Sequence, residues 1–341
     1  MDSTGDWTEF SAKTRQGRRI EGTIHKVHGA TVQAGMLQLR SVDGEPCSLR
    51  LYGMSEIPYY DQVHVHLDGA ISVTASRKMD GTAVIFNPIF LRAEYVETIC
   101  RTRGVPVLAN MSVPRWAADM PGPAGVVARS RYKQWTDLVD RVADYDAIES
   151  LCRTQRATLV FELYGADNVH CVDYDEALAL RLHTMLLGKR MLPRQTVEAH
   201  ARRWGLEMAE LVSPVDGGEF ALTWDKLASQ IENLAAAMEQ HNDTRSGVFR
   251  EEGAVVSVNR RRSASLYKVK PPSMAEYYRM TGQPTPITIR HELHKLAEMG
   301  LGVEYDTAMA HLREALGSGE DDRDEDALFE REYWLWYGAT R

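Results

Sequence analysis

Residues 71–86 read ISVTASRKMDGTAVIF, and this stretch sets the expectation for the fold. Val73 to Ser76 has the character of a strand end, and Thr82 to Phe86 that of a second, β-branched and apolar strand. Asp80-Gly81 between them is a turn signal, so residues 77–81 are expected to form a tight turn holding Lys78 at the mouth of a sheet. A lysine amine has a pKa of about 10.4 and is ordinarily a cation, which cannot attack anything. Desolvation or neighbouring cations free its lone pair, and it then serves as a covalent nucleophile. A solvated hairpin carries the same four residues, so KMDG alone leaves both readings open and its companions decide.

Upstream, short strands and turns alternate from Ile20 to His66 (IEGTIHKV, TVQAGMLQLR, CSLRLYG, QVHVHL). Residues 1–20 are expected to hold a short helix or an arm, where Arg15, Arg18 and Arg19 suit either phosphate contact or a solvated basic end. His64 and His66 would share one strand face, without a third metal ligand in view. Downstream, strand character continues to RTRG (101–104), and apolar spacing at Trp135, Leu138, Val139, Val142 and Ile148 predicts a helix over 130–151. ATLVFELYG (157–165) is an apolar strand with one carboxylate, Glu162, which is costly there unless it binds something. NVHCVDY (168–174) is expected to return as its hairpin partner, and residues 175–241 to be helical, with Leu227, Ile231, Leu234 and Met238 on a core face. Strands resume with EEGAVVSV (251–258) and LYKVK (266–270). Lys268 and Lys270 stand two apart on a strand and so point the same way. They suit a shared phosphate, or a charged edge strand. Everything after Ser273 reads as helix, and His291 with His294 lacks the H-E-x-x-H spacing of a metalloprotease.

The composition of this 341-residue chain, 44% hydrophobic and 26% charged, is that of a soluble globular protein of one large or two ordinary domains. It holds no apolar run of membrane-spanning length, and its polar first twenty residues are not a signal peptide; a cytoplasmic protein without a membrane partner is expected. The scattered Cys47, Cys100, Cys152 and Cys171 form no C-x-x-C pair, which speaks for reduced thiols and against structural zinc. A net charge of −8 opposes whole-surface attraction to nucleic acid but leaves room for a local basic channel. Much of that charge sits in one block, residues 319–326. No Walker A sequence occurs, which disfavours a P-loop kinase.

Five polar signals thus stand on strand ends in fixed order: KMDG (78–81), RTRG (101–104), FELYG (161–165), EEGAVV (251–256) and YKVK (267–270). As an ordered set covering about residues 70–270, they resemble the covalent nucleotidyltransferase superfamily of ATP-dependent ligases and mRNA capping enzymes. Phe161-Glu162, Asn168-Val169 and Val172-Asp173-Tyr174 are similar to the third motif of phage-type RNA ligases that repair broken tRNA anticodon loops. The resemblance implies an α+β fold. An ATP-grasp-like adenylation (nucleotidyltransferase) domain of antiparallel sheets flanked by helices would span 1–270, and a small all-α domain for RNA recognition 271–341. The helical pattern after Lys270 is too short for the OB barrel of capping enzymes and DNA ligases.

The resemblance further implies an RNA ligase acting as a monomer on RNA with 5′-phosphate and 3′-hydroxyl ends, tRNA among them, with ATP and Mg²⁺ or Mn²⁺. Lys78 would take AMP from ATP, with Asp80 and Gly81 completing the nucleotide-binding turn and Phe161 beside it. Arg103 would lie against phosphate or the RNA end, Glu162 would meet the ribose hydroxyl or the metal, and Glu252 the metal or the lysine. Lys268 and Lys270 would grip the α-phosphate and, with the metal, depress the pKa of Lys78. The sequence departs from the pattern at Arg103-Gly104-Val105, where Lys-Gly-Ser is frequent. The alternatives are a GTP-dependent capping-type guanylyltransferase, a DNA ligase, or a non-catalytic RNA-binding relative.

Overall fold

The computed structural model describes residues 6–26, 35–109, 122–168, 170–280, 283–298, 304–317 and 323–340. Val169 of the third motif and residues 319–322 of the acidic block lie outside them. The described residues open on a strand, within the stretch 1–20 where a helix or arm was expected. Strand β1 (Asp6–Lys13) pairs with β2 (Arg19–Lys26), followed by β3 (Leu37–Val42) and β4 (Glu45–Leu51) in an antiparallel meander. Phe10 and Ala12 alternate inward and bury with Ile20, Ile24, Leu37, Leu39, Ile89 and Ile99, a period of two that no helix could satisfy. QVHVHL is not a strand: apart from a bridge of Tyr59 to Lys268, residues 52–69 are irregular. His64 and His66 meet edge to face at 4.6 Å, and no cluster of three metal-ligating side chains occurs among the described residues.

The KMDG turn is flanked by β5 (Ala70–Arg77) and β6 (Thr82–Leu91), as expected, but the two strands do not pair. With β7 (Glu94–Thr102), β8 (Thr158–Tyr164), β9 (Ala179–Leu187) and β10 (Arg190–Met191), β6 builds a five-stranded sheet in the order β10-β9-β8-β6-β7. With β11 (Leu211–Val212), β12 (Ala254–Arg260) and β13 (Ala264–Val269), β5 builds a four-stranded sheet in the order β11-β5-β12-β13. Both edges of each strand are taken by other partners, so Lys78–Gly81 is a crossing between two sheets and not a hairpin loop. The partner of β8 is β9, read as helix in the sequence, and 168–174 contributes only a bridge from Val172 to Phe249.

The helices cover the outer sheet faces. The helix expected over 130–151 is two, α1 (Gly122–Val142) and α2 (Tyr145–Gln155), because Asp144 caps the second by accepting from the Ala147 N–H at 3.0 Å. Together with α3 (Arg194–Trp204), they bury Val84, Phe86, Phe161, Leu163, Leu182 and Met185 of the five-stranded sheet. Helix α4 (Trp224–Glu239) packs Leu227, Ile231, Leu234 and Met238 on Val73, Ala75, Val256, Val258 and Tyr267 of the other sheet. Each such side chain contributes about 1.5–3 kcal/mol. The inner faces look at each other: Thr74, Ser76, Val255, Ser257 and Leu266 line one narrow cavity with His183 and Thr184. The described residues after Pro271 are helical, in α5 (Pro272–Arg279), α6 (Pro286–Glu298), α7 (Tyr305–Leu316) and α8 (Arg323–Ala339). The last three share a core around Leu293, Leu312, Phe329 and Trp336, whereas α5 packs Met274 and Tyr277 against Phe249 and Val172.

Candidate active site

Three strand ends meet at the crossing, and two glycines permit it. The Lys78 N–H donates to the Gly253 carbonyl at 2.8 Å, pinning KMDG to the corner that opens β12. Gly253 has φ +140°, and a Cβ there would stand 2.0 Å from the Val269 carbonyl oxygen; one on Gly81 would stand 2.2 Å from that of Leu163. The corner brings Glu252 between two amines. Lys78 Nζ donates to Glu252 Oε2 at 2.6 Å, and Lys270 Nζ lies 3.0 Å from Glu252 Oε1. The Glu252 and Lys270 side chains are 3% and 5% exposed, and Lys78 retains 22%.

The surrounding carboxylates set the charge state of Lys78 in this structure. Burial alone would lower its pKa, but Glu252, Glu162 and Asp80 all face it and carry it above the ordinary lysine value, so the amine rests as an ammonium. Lys270 cannot offset them, because it is bound to the same Glu252. The depressed amine is Lys270 itself, lowered to about 8 by burial and by Lys78 against the pull of Glu252.

On β8 the alternation sends Phe161 and Glu162 to opposite faces. Phe161 is 1% exposed and stacks edge to face on Phe86 at 5.5 Å, in the core under the helices. It therefore cannot touch a ligand at Lys78, contrary to its expected place beside the nucleotide. Glu162 faces the crossing, where burial raises its carboxyl to about 8, Lys78 opposes the rise, and Glu252 and Asp80 add to it. Arg103 is exposed and reaches Glu162 only electrostatically.

Asp80 is spent on the scaffold. It accepts from the Cys171 and Val172 N–H groups at 2.6 and 3.1 Å and from Tyr278 Oη at 2.7 Å, while its own N–H donates to Tyr174 Oη at 2.6 Å. Burial would raise its pKa, but His170, Tyr278 and Lys78 hold it below the usual carboxylate range. The paired lysines contact different carboxylates: Lys268 Nζ binds Glu56 Oε1 at 3.0 Å and lies over the Tyr59 ring at 4.2 Å, whereas Lys270 binds Glu252.

Several site residues were not found from sequence. Glu56 and Tyr59 sit in the irregular segment, and Tyr278 follows the last motif. His183 is the extra residue of a β-bulge in β9, opposite Val160 and Phe161; bulges re-aim a side chain in this way. Its Nδ1 is buried with no partner among the described residues, and burial, Lys78 and Arg194 lower its pKa to about 3, so it is a neutral imidazole facing the cleft. Arg101, two residues before Arg103, is fully buried, bonded to Asn87 Oδ1 at 2.6 Å and to the Gly35 carbonyl at 2.7 Å.

The donor set fits a divalent cation of the Mg²⁺ kind. Such ions bind through one or two carboxylates and substrate phosphates, not a closed protein cage. The charge of Glu252 raises the cost of ionising Glu162, which is what a cation relieves.

No family model and no curated protein matches the sequence. Among solved structures, one form of an archaeal ATP-dependent RNA ligase aligns with a TM-score of 0.53 and 14% identity over 97% of this chain and 74% of its own. A second form aligns with a TM-score of 0.50 and 15% identity over 94% and 72%. A Naegleria gruberi RNA ligase aligns less well, with a TM-score of 0.42 and 9% identity over 67% and 58%. The first two show a shared fold with those archaeal proteins and do not single out the phage tRNA-repair type.

Proposed function

We propose that this chain is an ATP-dependent RNA ligase working through a lysyl-AMP intermediate. The observation that carries the reading is the bridge of Glu252 between Lys78 and Lys270, with Glu162 opposite, at the crossing of two sheets. That places one nucleophile, one buried cation and two carboxylates around a single point, the inventory that phosphoryl transfer requires.

In the resting protein Glu252 locks Lys78 as an ammonium. An incoming triphosphate takes over the contacts of Lys270 and Lys268, and Glu252 turns from the amines. Once Lys78 Nζ has given its proton to water, it attacks the α-phosphorus; a P–N bond forms, the bond to the bridging oxygen breaks and pyrophosphate leaves. A divalent cation held by Glu252 and Glu162 would offset the charge growing on the phosphoryl oxygens. The 5′-phosphate of an RNA end then displaces Lys78, and a 3′-hydroxyl displaces AMP to close the strand. On this reading His183, whose Nδ1 has no partner among the described residues, would meet the base. The helical stretch 271–341 we read as the RNA-recognition part and a tRNA break as a natural substrate.

The test is incubation with α-labelled ATP and Mg²⁺, with GTP in parallel. An acid-stable label on the protein, lost in Lys78→Ala, supports the reading; label from GTP alone favours a capping-type enzyme. Absence of any label favours a non-catalytic RNA binder. Sealing of nicked duplexes, stem-loops and single strands with 5′-phosphate and 3′-hydroxyl ends then separates RNA from DNA substrates.

A further inference from the structure

The helix that follows the last motif reaches back into the site. Tyr278 on α5 donates its hydroxyl to Asp80 Oδ1 at 2.7 Å, and the Lys270 ammonium stands 3.0 Å from the centre of its ring. One side chain therefore touches the first motif through its oxygen and the last through its π face. A ring face attracts an ammonium and does so more strongly where water is excluded; the Lys270 side chain is 5% exposed. The helix is held in place independently. Tyr277 packs on Phe249 at 5.4 Å, and Ser273 donates to Glu239 Oε2 at 2.7 Å through its hydroxyl. Its neighbour α6 adds His294, whose Nε2 lies 2.7 Å from Asp173 Oδ2, beside the N–H groups that bind Asp80.

We propose that Tyr278 is a positioning residue for Lys270: its ring is the seat that keeps the ammonium directed at Glu252 and at an α-phosphate, and its hydroxyl ties that seat to the KMDG turn. The helical tail thus takes part in the first chemical step as well as in any recognition of RNA. This rests on the ligase reading.

Two measurements on the full chain decide it. The first is the single-turnover rate of lysine adenylation at saturating α-labelled ATP in Tyr278→Leu and Tyr278→Phe. The rate constant should fall at least tenfold in the leucine variant and no more than threefold in the phenylalanine variant, with the labelled fraction unchanged in both. A smaller labelled fraction at an unchanged rate constant would mean a merely structural role and overturn the proposal, as would equal slowing of both variants or leucine within threefold of wild type. The second needs no ATP: acetylation of Lys270 by an N-hydroxysuccinimide ester, followed by peptide mass spectrometry. It should run at least fivefold faster in the leucine variant only, and an unchanged rate sinks the seat. If the wild type takes no label from ATP, the ligase reading fails while the acetylation result still decides the seat.

Discussion

Glu162→Gln should stabilise the protein in alkali and leave it unchanged in acid, while removing activity. The carboxyl titrates at about 8 in the folded chain against an ordinary 4.5, with burial the main cause. The folded state therefore holds the proton through the window from 4.5 to 8 in which the unfolded state has released it. Stability falls as pH rises across that window and stays low above it. A gap of about 3.5 units at about 1.4 kcal/mol each bounds the cost near 5 kcal/mol. The carboxylate is only partly buried, and solvent screening reduces the expected difference to about 2–3 kcal/mol. Glutamine fills the same space and never ionises. Urea unfolding at pH 4, below the window, should give equal stabilities for wild type and variant, and at pH 8.5 the variant should be the more stable by that margin. Lys270, at about 8, titrates in both proteins and cancels in the difference. Adenylation of Lys78 should fall at least tenfold in the same variant. Equal stability differences at the two pH values, or a variant weaker at pH 8.5, would refute the assignment of a strained carboxylate.

Glu252→Gln removes the charge that both amines face, so Lys78 and Lys270 should release protons more readily. Adenylation should drop on the order of 100-fold at neutral pH, and its alkaline inflection should move to lower pH in a rate profile. Phe161→Leu should cost about 1–2 kcal/mol of unfolding free energy without raising KM for ATP, since its ring meets Phe86 and not the cleft; a tenfold rise in KM would restore it to the nucleotide. Arg101→Lys cannot span Asn87 and the Gly35 carbonyl with one planar fork, and should cost about 2–4 kcal/mol in a thermal or urea melt.

The sequence made the chemistry legible where it lies on local pattern. A single carboxylate in an apolar strand marked Glu162 as a binding residue, and the glycines of KMDG and EEGAVV stand at the two points where backbones pass too closely for a Cβ. It hid what depends on distant partners. Strand β5 pairs Ala75 with Val256, and β6 pairs Val84 with Phe161, so nothing near Lys78 announces that the turn crosses between sheets. ALRLHTMLL is rich in helix formers, and only its pairing with β8 makes it a strand. That misreading concealed His183, because a bulge exists only relative to a partner. Tyr278 and Glu56 carry no local signal at all.

The crossing also explains why one carboxylate serves two amines. A hairpin would have presented Lys78 to solvent, where its charge needs no partner. Set between sheets, the amine is partly desolvated, and an uncompensated cation there is costly. Glu252 removes that cost in the absence of substrate, but by the same act it holds the proton that blocks attack. On the proposed ligase reading, a triphosphate would supply the negative charge that Glu252 otherwise supplies, so the carboxylate could leave without stranding either ammonium. That exchange of anions would free the Lys78 amine from its hydrogen bond to Glu252, and loss of its proton is then a separate step before attack.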